Sequence, residues 1–278
     1  MTVIGGNSNI AVADRSTYPL RIMKWIYRLT TVALASVLFF SVRAGAQTAP
    51  TTQAAEPSSA DVAAPKLDKT GKIDSRFQQR HESFLRRGKE GKIGVLFLGD
   101  SITEGWGGTR GREIWAEHYG KLDSANFGIS GDKTQHVLWR IDNGELDGIS
   151  PKVVVLMIGT NNIGYSAEDI LAADTKIAQE IHQKLPDTKL LLLGIFPRGA
   201  DPNDPKVADM REKIKTVNQG LAKLDDGDKT RYLDIADKFL DADGKLSKDI
   251  MPDALHPSTK GYLIWAQAMQ PLLDEMMK

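Results

Sequence analysis

The feature that most constrains this chain is an alternation of short aliphatic runs with longer amphipathic stretches. Apolar runs occupy 93–98, 124–127, 153–158, 189–196 and 231–235, and several are nearly continuous in Val, Ile and Leu. Such runs suit strands buried on both faces. Between them the apolar residues change to helical spacing. Val137, Leu138 and Ile141 share one face, as do Ile170, Ala173, Ile177 and Ile181, and then Val207, Met210, Ile214, Val217 and Leu221. Helices are therefore expected over 76–88, 110–120, 134–143, 167–184, 204–224 and 258–276, the last with Pro257 placed for the first helical position. Strand–helix alternation implies parallel strands joined by crossover helices that cover both faces. The expectation is a three-layer α/β/α sandwich with a five-stranded parallel sheet over 74–278.

The segments ahead of that domain have different compositions. Arg21, Lys24 and Arg28 precede an apolar run at 29–42, and Ala44-Gly45-Ala46 has the small-x-small form of a cleavage site. Residues 1–46 thus read as a secretory signal region, with Met23 a possible true start. The run is short for a membrane span, so no stable membrane insertion is expected after cleavage, an uncleaved anchor being the alternative. The expected location is secreted or periplasmic. Residues 47–73 begin with an Ala/Pro/Ser/Thr-rich stretch and are expected to be a flexible linker.

Charge excludes some partners. The whole chain balances 36 Lys and Arg against 36 Asp and Glu. Removing 1–46 takes away five basic residues and one acidic residue, leaving 31 against 35. Neither balance favours nucleic acid. The chain has no cysteine, which excludes disulfides, thiolate nucleophiles and Cys-based zinc sites.

Sites in parallel sheets form beyond the carboxyl ends of the strands, and four motifs fall there or near the last helix. Gly99-Asp100-Ser101 follows the first run, where Ser101 is either a nucleophile or a helix cap. Gly128-Ile129-Ser130-Gly131-Asp132 follows the second, as a ligand-approaching turn or an ordinary one. Gly159-Thr160-Asn161-Asn162 follows the third, as an oxyanion donor or a turn. Asp253-Ala254-Leu255-His256 precedes the last helix. Of the histidines at 81, 118, 136, 182 and 256, only His256 precedes a helix with an acid three residues earlier. A serine nucleophile needs such a base, and the base needs an acceptor on its other ring nitrogen. Asp100 is expected to bond backbone rather than to act as that acceptor. Asp132, Trp139, Phe196 and Arg198 are candidate pocket or supporting residues, with core or surface roles open for Trp139 and Arg198.

These blocks together resemble the GDSL-type (SGNH) hydrolases. Within them, the stretch from Asn126 to Asn162 and the Phe196-Pro197-Arg198-Gly199 segment are similar to the platelet-activating factor acetylhydrolase catalytic subunits. The glycine-rich 103–111, with Trp106, looks more like the family's bacterial esterases. The resemblance implies a flavodoxin-like sheet, with Ser101 as nucleophile, His256 as base and Asp253 as its partner. It implies an oxyanion hole from the Ser101 and Gly131 N–H groups and the Asn161 side chain, with no metal or organic cofactor. The expected function is a secreted serine esterase acting on short-acyl esters, acetyl first, on a small molecule or glycan. A lysophospholipase or thioesterase activity on lipid esters is the alternative, and a catalytically silent carbohydrate-binding module is a further one. The oligomeric state is not expressed in the sequence.

Overall fold

The computed structural model describes residues 59–278, so the signal region expected at 1–46 lies outside the described residues. In chain order the elements are α1 (Ser75–Lys89), β1 (Val95–Gly99), α2 (Ser101–Glu104), α3 (Arg112–His118), β2 (Ala125–Gly128), α4 (Thr134–Asp142), β3 (Val153–Met157), α5 (Ala167–Lys184), β4 (Lys189–Leu193), α6 (Pro205–Leu221), β5 (Thr230–Leu233) and α7 (Thr259–Met276). The five strands form one parallel sheet in the order β2-β1-β3-β4-β5. This is the doubly wound, flavodoxin-like order that the family resemblance implies.

Strand periodicity divides the core in two. Leu96, Leu98, Val154, Leu156, Leu190 and Leu192 face α1, α4, α5 and α6. Val95, Phe97, Val153, Val155, Leu191 and Leu193 face the opposite way, against α2, α3 and α7. Successive side chains of a strand point to opposite faces, so one aliphatic run serves both layers. Helix starts are fixed by side chains. Asp74, Ser166, Asp204 and Ser258 each accept a backbone N–H of the turn they open, which satisfies a donor that has no partner within the helix. In α7 the cap is Ser258 and the helix begins at Thr259, so Pro257 precedes the cap instead of occupying the first helical position.

The linker expected over 47–73 differs from the structure in its described part. Ala60 is buried. Ala64 N donates to Gln135 O at 3.1 Å, and Thr134 Oγ1 and Lys176 Nζ donate to the carbonyls of Ala60 and Asp61. Leu67 and Ile73 bridge across a turn organised by Asp68. The segment is too poor in large apolar residues to build a core of its own, but α4 and α5 bind its backbone, so it lies against the domain as a strap. Among the described residues, no helix is long and apolar enough to cross a membrane.

Candidate active site

β1 delivers Gly99 and Asp100 to the carboxyl edge of the sheet, and the chain turns at once into α2. Asp100 Oδ1 accepts Ile102 N at 2.9 Å, the backbone role expected for it. Ser101 stands next, partly exposed. The short helix packs tightly on β2: a Cβ at Gly128 would come within 2.2 Å of Glu104 N, so glycine is required there. Tyr262 on α7 steadies the same turn by donating its OH to Ile102 O at 2.8 Å.

The Asp253–His256 turn meets Ser101 from across the fold. Ser101 Oγ lies 2.9 Å from His256 Nε2, and His256 Nδ1 lies 2.7 Å from Asp253 Oδ2. Asp253 Oδ1 also accepts His256 N at 2.7 Å and Leu255 N at 3.2 Å. One carboxylate therefore clamps both the backbone and the ring of the histidine. The tight spacing puts Ala254 at φ 56°, a left-handed conformation that costs a non-glycine residue about 1–2 kcal/mol. Burial acts to raise the Asp253 pKa, but hydrogen bonds from the His256 backbone and ring outweigh it and hold the carboxyl below its usual value. With that carboxylate on Nδ1, the proton of a neutral imidazole belongs on Nδ1, and Nε2 is free to accept from Ser101.

The opposite wall is the turn Ile129–Asp132. Gly131 has φ +74°, and its N–H makes no hydrogen bond among the described residues. Asn161 Nδ2 donates to Asp132 O at 2.8 Å and approaches Asp100 Oδ2 at 3.4 Å. Ser101, Gly131 and Asn161 thus border the same turn-and-helix junction. The two asparagines of the motif divide their work. Asn162 is fully buried, accepts Thr134 N and donates to Thr134 Oγ1 and Gln135 Oε1, which ties the third strand's loop to the start of α4.

Of the four supporting candidates, two brace this wall. Asp132 is buried against Arg140 at 2.8 Å, and Arg140 also pairs with Glu145 at 2.9 Å and donates to Phe127 O. Arg198 donates to Thr160 O at 2.7 Å and so steadies the loop that carries Asn161. The other two stand apart from the cleft. Phe196 packs on Phe239 and Trp265 in the core, and Trp139 lies half-buried against Phe77 and His81. Burial lifts the Asp100 pKa to about 7, with the nearby Asp132 charge adding to the rise and the Ile102 N–H and Arg198 opposing it.

Ser101 and His256 open into a cleft of about 690 Å³ walled by Glu104, the 105–110 loop, Ser130 and Tyr262. The wall includes Arg80 and Arg110, which sequence spacing did not single out. Glu104 is another such residue: it accepts Ser130 N at 2.8 Å and pairs with Arg76 at 2.8 Å. Among the described residues, no group of three or more His, Asp or Glu side chains is arranged to hold a metal ion.

A serine, an imidazole and a carboxylate in hydrogen-bonded series, at the carboxyl edge of a parallel sheet, define a serine-hydrolase type of site. The chain belongs to the GDSL-like lipase/acylhydrolase family, whose model matches residues 97–264. It is 38% identical over 205 residues to platelet-activating factor acetylhydrolase IB subunit alpha1 of Homo sapiens, covering 73% of this chain and 85% of that one. It is also 38% identical to the alpha2 subunit of Rattus norvegicus, over 74% of this chain and 85% of the relative. A solved GDSL-like lipase of Bacteroides thetaiotaomicron shares the fold, with TM-score 0.57 and 20% identity over 70% of this chain and 97% of its own. The protein is accordingly an enzyme, a serine hydrolase acting on carboxylic ester bonds.

Proposed function

We propose that this enzyme is an exported esterase that removes short acyl groups, acetyl first, from a small molecule or glycan, using Ser101, His256 and Asp253. The observation that carries the assignment is the unbroken series from Ser101 Oγ to His256 Nε2 and from Nδ1 to Asp253 Oδ2. His256 takes the Ser101 proton as the hydroxyl attacks the ester carbonyl, and Asp253 stabilises the imidazolium. The oxyanion receives the Ser101 and Gly131 N–H groups and an N–H of Asn161. The long 3.4 Å contact of Asn161 with Asp100 marks the hydrogen most readily given to it. The alcohol departs with the proton held by His256, and water, deprotonated by the same ring, releases the acid.

The short-acyl reading is supported by the cleft, which is lined by glycines, hydroxyls and charged side chains together with Pro257 and Tyr262, and, among the described residues, by no Leu, Ile, Val, Phe or Met side chain that would hold a long acyl tail. The relatives' name, acetylhydrolase, agrees with it. Export rests on the sequence of 1–46. A fluorophosphonate is expected to label the native chain and not Ser101→Ala; continued labelling of the variant overturns the nucleophile. Asn161→Ala is expected to lower kcat roughly 10²–10³-fold. In a p-nitrophenyl ester series from acetate to decanoate, activity is expected to peak at the short end, and a maximum at long chains overturns the acyl assignment.

A further inference from the structure

The turn that carries Gly131 is gripped on every side. Glu104 holds Ser130 N, Asn161 holds Asp132 O and Arg140 holds the Asp132 carboxylate, each at 2.8 Å. These three residues lie inside the stretch matched by the family model. The fourth grip does not. Lys66, on the strap ahead of α1, donates from Nζ to Ser130 O at 2.6 Å and lies 4.0 Å from Asp132 Oδ1. Its side chain is only 27% exposed, and its own carbonyl is fixed by Asp74 N at 2.8 Å.

The carbonyl that Lys66 holds belongs to the same peptide unit as the Gly131 N–H. In a planar trans peptide the C=O and N–H bonds point in opposite directions and their dipoles add. A cation bound at the oxygen therefore fixes that N–H on the side away from itself. It also draws electron density toward the oxygen, which makes the N–H a stronger donor, as in any hydrogen-bond chain that polarises its members. A Cβ at 131 would come within 2.8 Å of Lys66 Nζ, so a side chain there would displace the ammonium from its place.

We propose that Lys66 is a positioning residue of the oxyanion hole, acting through the Ser130–Gly131 peptide, so that the strap is part of the working catalytic unit. This rests on the assignment of the Gly131 N–H as an oxyanion donor. The effect belongs to the transition state, where charge develops on the substrate oxygen, and so falls on kcat more than on KM.

The test uses the full chain with Lys66→Met and Lys66→Arg. Steady-state hydrolysis of p-nitrophenyl acetate is paired with inhibition by a trifluoromethyl ketone, which forms an oxyanion on the nucleophile. Lys66→Met is expected to lower kcat about tenfold with KM within about twofold, and to weaken the ketone by a similar factor. Lys66→Arg is expected to restore most of both. Native kcat in Lys66→Met overturns the proposal, and so does a loss that arginine leaves unrepaired or that spares ketone binding. Fluorophosphonate labelling of the native chain separates the two readings. Absence of label on native Ser101 defeats the proposed site itself, whereas a labelled native enzyme with an indifferent Lys66→Met defeats only the role of the lysine.

Discussion

The two walls of the cleft are built on opposite principles. The Asp253–His256 wall is local and open: four consecutive residues, a carboxylate with its side chain 54% exposed, and three hydrogen bonds that begin and end within the turn. The Ile129–Asp132 wall is distributed and closed. Its grips come from the strap, α2, α4 and the β3 loop, and behind it Arg140, Asp132 and Glu145 form a buried ionic cluster that His81 extends at 3.1 Å. In the proposed mechanism His256 is a base that must turn its ring and exchange protons with the cleft, which a local turn permits. The oxyanion donor proposed for the second wall must be in place before charge develops, and a buried lattice of bonds supplies that fixity. The first wall should therefore govern chemistry with little hold on stability, and the second should govern both.

Asp253→Asn is the strongest way to break this division. Asparagine keeps an oxygen for His256 N but offers an amide hydrogen to Nδ1, which forces the proton onto Nε2 and removes the acceptor for Ser101. The expected loss in kcat is about 10⁴-fold, the scale known for this exchange in serine proteases. Urea unfolding should change by less than about 1 kcal/mol, as for an exposed group. A large loss of stability would show that this wall too is structural. Arg140→Met comes next. It leaves Asp132 and Glu145 buried without their cation, and breaking such a cluster costs about 3–5 kcal/mol. Urea unfolding at neutral pH measures it, and a cost below about 1 kcal/mol would mean that the cluster does not hold the turn.

The same division governs what the sequence reveals. The sheet is legible because strands and helices have different hydrophobic periods, and because the residues that cap helices are short-range signals. Asp253 and His256 are legible because their contact needs only three residues of spacing. The Ile129–Asp132 wall is legible in part: Gly131 and Asn161 stand in the motifs after β2 and β3, and family resemblance implies the oxyanion roles proposed for them. Its supports are another matter. Lys66 is 64 residues from Ser130, and Arg76 is 28 from Glu104. No periodicity links such pairs, since only the folded sheet brings them together. The strap misleads for a related reason. Composition reports whether a segment can build its own core, and residues 59–73 cannot, but it does not report that α4 and α5 offer partners for their backbone.

The smallest expected effect sharpens the comparison by its sign. Asp174 on α5 is buried close to Gly159, where a Cβ would come within 3.4 Å of its Oδ2, and neither carboxyl oxygen has a hydrogen bond among the described residues. Burial, and then the Asp100 charge, push its pKa well above the ordinary 3.8. The folded state thus binds this proton more tightly than the unfolded chain does. Its contribution to stability is lost as pH rises from about 4 toward the elevated value. Asp253 has the reverse linkage: held below 3.8, its contribution is present above that value and is lost as pH falls through the lowered pKa. Asp174→Asn removes the first linkage alone. Measured by urea unfolding at several pH values between about 5 and 8, the variant should gain steadily on the native enzyme as pH rises. A gap that stays constant would mean that Asp174 ionises freely in the fold. In Asp253→Asn the difference from native should instead shrink below about pH 4, and by less, because solvent screens a half-exposed carboxylate. Opposite slopes in the two variants would show that a carboxylate held within a turn at the surface and one taken out of water beside the β3 loop answer to pH with opposite sign.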